Sequence, residues 1–298
     1  MFEIVMRTTD ETSGMHTHHH NCYEIVFVLS GQALFTIGGK EYRAQRGGLL
    51  FISNLETHFL SVESAPYERC YALIGQEFFH SAVQDPVLAS VFRNRPGHFS
   101  HMAQLPEEAI EPTRALFEQM IGEYARQGEY WREAVKCSLQ LLFIRLYRQM
   151  REFFPLKALT RTTEAILQIQ KRIEERCEEP YTLKEAARQS YIELHYLSKL
   201  FKSVTGFTFQ QYQIRQRVAR AKGLLCRTGD SVAKIGAAAG FQNASHFIRM
   251  FKKMEGVTPS QYRKMAVKEG AVALSPKNSQ KNERRQKPTL VFCCMISL

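Results

Sequence analysis

Leu197-Ser198-Lys199-Leu200-Phe201-Lys202 and Phe247-Ile248-Arg249-Met250-Phe251-Lys252 are two versions of one sentence, fifty residues apart. The match continues through Thr205-Gly206-Phe207-Thr208 against Glu255-Gly256-Val257-Thr258, and through Gln211-Tyr212 against Gln261-Tyr262. Upstream, Leu183, Ala186 and Ala187 correspond to Val232, Ile235 and Gly236 at an offset of forty-nine. The repeat therefore absorbs one extra residue in its middle, where Gly240-Phe241 stands in the second copy. An insertion between two helical patterns belongs in a turn, so each copy reads as helix, turn, helix.

The second helix of each copy divides by face. In the first, Leu197, Leu200, Phe201 and Val204 form an apolar stripe and leave His195, Ser198, Lys199 and Lys202 elsewhere. In the second, Phe247, Met250, Phe251 and Met254 are the stripe, with Ser245, His246, Arg249 and Lys253 outside it. Asn243 suits the N-cap of that helix, and Gly206 and Gly256 follow both helices where a left-handed residue would end them. Residues 209–225 read as a helix joining the copies, with Arg215, Arg217, Arg220 and Lys222 available to phosphates. Charge follows the repeat. Residues 163–268 carry 19 Lys and Arg against 9 acids, whereas residues 1–162 carry 16 against 18. A basic surface confined to one folded segment suits the displacement of counterions from phosphates.

These residues resemble the arabinose-regulator (AraC/XylS) family of bacterial transcription factors over roughly residues 165–265. The matching motifs are Tyr196-Leu197-Ser198-Lys199-Leu200-Phe201-Lys202, Thr205-Gly206, Gly240-Phe241, and Phe251-Lys252-Lys253 with Gly256-Val257-Thr258-Pro259-Ser260-Gln261-Tyr262-Arg263. The resemblance implies two helix-turn-helix units whose recognition helices enter successive major-groove faces of double-stranded DNA about one turn apart. It also implies base-facing candidates: His195, Ser198 and Lys199 in the first copy, and Ala244, Ser245, His246 and Arg249 in the second. Arg249 can pair bidentately with guanine, and Lys199 reaches the same edge less specifically. Lys202, Lys252 and Lys253 are expected at phosphates, where they position without reading. Two residues depart from the family pattern. Glu193 stands where a serine usually caps the first recognition helix, and Gly236 replaces an alanine inside a helix, at roughly 0.5–1 kcal/mol.

The N-terminal half has a different grammar. Short strands are expected at 23–29, 33–37, 40–43, 48–52 and 59–62, with turns at Ser30-Gly31 and a two-residue hairpin at Gly38-Gly39. That spacing suggests a small barrel or jelly roll. His18-His19-His20, Glu24 and Gly31 reproduce the spacing of the first motif of the cupin fold. Gly47-Gly48 and His58 resemble its second motif, without the usual proline. His18, His20, Glu24 and His58 are thus candidates to line an effector pocket, or alternatively to hold a divalent metal. From Glu107 the period becomes helical, giving two amphipathic helices broken around Gly128, the second ended by Pro155.

The expected fold is α+β and multidomain. A cupin-like β-barrel at 1–105 is followed by a helical dimerisation or packing segment at 106–154 and a linker at 155–163. An all-α double helix-turn-helix domain then occupies 164–267, and a tail rich in Ser, Lys, Asn and Gln occupies 268–298. The function this implies is a transcription regulator responding to a small-molecule effector, for which the family points to a sugar or related metabolite. Its other expected partners are a second copy of the chain and, for an activator, RNA polymerase. No catalytic residue and no cofactor is assigned. The competing readings are a metal-dependent cupin enzyme fused to a DNA-binding domain, and an architectural DNA-binding protein. The start of the chain lacks a signal-peptide pattern, no apolar run is long enough for a membrane span, and the seven cysteines lack metal or redox spacing. Cytoplasmic location is the expectation.

Overall fold

The computed structural model describes residues 2–12, 22–53, 56–94, 96 and 99–265. The chain forms two compact units that divide near Glu164–Ala165. The first contains strands β1 (Phe2–Thr9), β2 (Tyr23–Ile37), β3 (Lys40–Ala44), β4 (Gly48–Ile52), β5 (His58–Ile74) and β6 (Met102–Gln104). Helices α1 (Gln76–Ala82), α2 (Pro86–Arg93), α3 (Glu107–Arg126) and α4 (Trp131–Gln149) complete it. The sheet runs β1-β5-β2-β4-β6, with β3 also on β2, and its pairs are antiparallel.

Its two long strands bend. His58 pairs with Ile37 at the end of β2, whereas Glu24 pairs with Leu73 near its beginning. A straight strand would hold Glu24 and Ile37 about 43 Å apart. Yet Glu24 Oε2 lies 3.2 Å from His58 Nε2, so the sheet folds over on itself between them. The bend sits where the β2–β5 register shifts, between Val28 and Ala33. There Gly31 has φ +74°, and a Cβ on it would lie 2.6 Å from the Pro66 oxygen. Ser30-Gly31 is therefore a bulge inside one strand and not the turn the sequence suggests. Pro66 falls in the interrupted stretch opposite it, which is how β5 tolerates a proline and runs far beyond residue 62. The hairpin at Gly38-Gly39 forms as expected, with both residues at positive φ. The result is a cupin-like jelly roll whose ladder is not closed into a barrel among the described residues.

One face of this sheet packs on the helices. Ile25, Phe27, Phe51, Ala72 and Ile74 join Phe79, Phe92, Phe117 and Phe143 in one buried cluster. Tyr23 stacks on Phe92 with centroids 4.5 Å apart, and Phe79 meets both rings edge-on. Such pairs add about 0.5–1.5 kcal/mol each beyond area burial. α4 stops at Gln149, earlier than Pro155 requires, and a 3-10 turn at Arg151–Phe153 follows.

The second unit is helical: α5 (Arg161–Glu175), α6 (Leu183–Ser190), α7 (Leu194–Thr205), α8 (Phe209–Arg227), α9 (Val232–Ala238) and α10 (Ala244–Glu255), with helix again at 259–265. Caps punctuate it. Thr182 and Ser231 each accept from the backbone NH three residues on, and Thr208 forms a capping box with Gln211. Gly206 and Gly256 sit at φ +79° and +74°. α6–α7 and α9–α10 are the two helix-turn-helix copies, and α8 lies between them in the chain. Its Val218, Ala221 and Leu225 join Ile235, Phe241, Phe247, Phe251 and Tyr262 in the second copy's core. No helix among the described residues is long and apolar enough to cross a membrane.

Candidate nucleic-acid interface

α7 is fixed by Leu197 and Phe201, both fully buried, with Phe201 edge-on to Tyr212 of α8. That anchoring turns His195, Ser198, Lys199 and Lys202 outward, and all four are exposed. α10 is fixed the same way by Phe247 and Phe251 and leaves Ala244, Ser245, Arg249, Lys252 and Lys253 exposed. His246 differs: it is half-buried, with its ring edge-on to Phe241 at 5.7 Å. Lys199, Lys202, Arg249, Lys252 and Lys253 make no ion pair among the described residues.

Both recognition helices begin with a side-chain cap. Asn243 Oδ1 accepts from the NH groups of Ser245 and His246 at 2.8 and 3.1 Å. In the first copy Glu193 takes that role, accepting from His195 N at 2.9 Å and Tyr196 N at 2.7 Å. Those two backbone bonds, aided by the nearby His195 and Lys199, hold its carboxyl below the usual range. A charged cap thus replaces the serine without loss of the helix start.

The basic residues of α8 do not behave as the sequence suggests. Lys222 is buried, 2.9 Å from Glu255, and lies over the Tyr262 ring. Arg217 donates to the Cys177 oxygen at 2.7 Å, and burial lowers its pKa. Arg220 bonds the Ala238 oxygen and pairs with Glu178, while Arg215 covers the Phe207 ring at 4.4 Å. These four cations staple α8 to its neighbours, whereas Lys199, Lys202, Arg249, Lys252 and Lys253 are left exposed on α7 and α10. Periodicity alone could not separate staples from phosphate contacts, because both are Arg or Lys on one long helix.

Of the four candidates in the N-terminal unit, His18 and His20 lie outside the described residues. Glu24 and His58 are brought together at 3.2 Å, nearly buried. His58 Nδ1 also faces the Glu56 oxygen at 3.1 Å. Burial opposes charge on His58, but the hydrogen bond and charge of Glu24 outweigh it and raise its pKa. Nearby groups extend the polar character. His101 bridges Glu56 at 3.0 Å and the Tyr42 hydroxyl at 2.8 Å, and buried Arg69 lies against the rings of Tyr67 and Tyr71. No group of three or more metal-type side chains forms among the described residues.

Residues 186–265 match a helix-turn-helix domain model, and residues 4–143 match an AraC-like ligand binding domain. The HTH-type transcriptional activator RhaS of Escherichia fergusonii is 24% identical over 251 residues, covering 83% of this chain and 86% of that protein. The chain belongs to the AraC/XylS family of transcription regulators. RhaS of Salmonella schwarzengrund is similar to the same extent. Among solved structures, ToxT of Vibrio cholerae has the same fold, with a TM-score of 0.55 at 14% identity, covering 88% of this chain and 98% of that one. A family member built this way is a sequence-specific DNA-binding regulator with an N-terminal ligand-binding domain.

Proposed function

We propose that α7 and α10 read the operator through His195, Ser198, Lys199, Ala244, Ser245 and Arg249, with Lys202, Lys252 and Lys253 at phosphates. The observation that carries this is the outward-facing set of cations on the two anchored helices, without ion pairs among the described residues, beside Arg217 and Lys222 of α8, which bond inward. His246, resting on Phe241, acts by positioning and contributes less to base contact than its neighbours.

The proposal extends to regulation. A small hydroxyl-bearing metabolite, a sugar in the simplest case, binds the folded-over sheet through Glu24 and His58, where buried acceptors and donors alternate. Binding shifts the population between two arrangements and so changes operator affinity. The regulator acts in the cytoplasm as a homodimer. Ala134, Cys137, Leu141 and Ile144 recur at three- and four-residue intervals on the outer side of α4, and Leu141 is 39% exposed. As RhaS is named an activator, activation through RNA polymerase is the outcome proposed here, and no catalytic step is assigned.

Footprinting of the DNA flanking its gene, with and without a sugar panel, tests the whole reading. A protected site whose affinity falls steeply with salt and moves with one sugar is expected. Glu24→Gln and His58→Gln should lose the sugar response and keep DNA binding. Binding indifferent to every metabolite would overturn the regulatory half.

A further inference from the structure

Ile248 is the large apolar residue that α10 leaves exposed, at 38%. The other four on this helix, Phe247, Met250, Phe251 and Met254, all belong to or pack against the core. Ile248 instead shares the outer strip with Ser245, one turn before it, and Lys252, one turn after, beside Arg249. All three neighbours are exposed. The internal repeat gives the same placement independently, because an offset of fifty puts Ile248 in the position of Ser198 on α7. Ile248 stands outside the cluster that anchors α10, which rests on Phe247 and Phe251.

We infer that Ile248 reads the C5 methyl group of a thymine in the half-site bound by the second copy. This rests on the reading of α10 as a recognition helix. Thymine is the base that offers a methyl group in the major groove, whereas the other base edges there offer donors or acceptors. An aliphatic side chain pressed against those edges would strip their water and return no hydrogen bond. Against the methyl it buries apolar surface on both partners. The β-branch also holds Ile248 near one helical rotamer, so little side-chain freedom is lost on contact. Ser198, with a hydroxyl that both donates and accepts, can serve any base. The two copies therefore differ in kind: the first is permissive at this position and the second demands thymine.

The test uses full-length protein and duplexes selected by it from a random-sequence pool. Each thymine of the second half-site is replaced singly by deoxyuridine, which removes the methyl group alone. One position should bind roughly threefold to tenfold more weakly. It should neighbour the guanine to which Arg249→Lys relaxes specificity, and its penalty should vanish in Ile248→Ala. A flat deoxyuridine scan, or a penalty that persists in Ile248→Ala, overturns the inference. If Arg249→Ala also leaves binding unchanged, the recognition-helix reading falls with it; if Arg249→Ala abolishes binding, only the thymine contact falls.

Discussion

A Cβ placed on Gly236 would lie 2.7 Å from the ring of Phe247, which is itself fully buried. The glycine that looks like a helix defect in sequence is therefore the close contact between α9 and α10. Gly236→Ala should lose about 1–3 kcal/mol through overpacking, despite the better helix propensity of alanine. Urea denaturation of the full chain measures this, and a gain in stability would contradict it. Glu193 is a second case in which residue type misleads. Glu193→Ser keeps a capping oxygen and removes a negative charge from the end of α7 proposed to face DNA, so operator binding should tighten several-fold at low salt. Glu193→Ala should instead lower thermal stability. Because its folded pKa is depressed, the stabilisation from this cap is present above the ordinary glutamate range and is lost as pH falls through the lowered value.

At the scale of elements, the inward-bonding cations of α8 serve structure, while those of α7 and α10 are the ones proposed to serve binding. Removing one partner of the buried Lys222–Glu255 pair should be costly: Lys222→Ala should lose about 3–5 kcal/mol, while the double replacement by methionine should be nearly neutral. Neither should alter the salt dependence of DNA binding in protein that remains folded. Lys253→Ala should do the opposite. Stability should hold within about 0.5 kcal/mol, and the slope of log affinity against log salt should fall by about one phosphate contact. Equal slopes for Lys253→Ala and the unaltered protein would remove Lys253 from the interface.

For the whole molecule, the outer seam of α4 makes assembly testable apart from DNA reading. Leu141→Arg should convert a dimer to a monomer in sedimentation, leave the jelly roll folded, and weaken binding to paired half-sites far more than to a single one. An unaltered sedimentation profile would place the dimer contact elsewhere.

The double helix-turn-helix was legible without coordinates because a repeat with a fixed offset is a local pattern repeated, and its caps and glycines act within a few residues. The outward positions of Lys199 and Arg249 followed from helical period alone, whereas Ile248 was singled out only by its exposure in the folded protein. The jelly roll was legible only in part. β1 pairs with the far end of β5, some seventy residues on, and β5 passes through a proline, so neither β1 nor the part of β5 beyond residue 62 announces itself locally. Likewise the spacing of Glu24 and His58 named them as candidates, but only the fold-over of β2 and β5 brought them to 3.2 Å. Sequence by itself determined what repeats and which side of each recognition helix is apolar, since both depend on neighbours along the chain. Tertiary structure alone decided which cations are staples, which glycine is a contact and which polar groups share a buried site, because those depend on residues that meet only after folding.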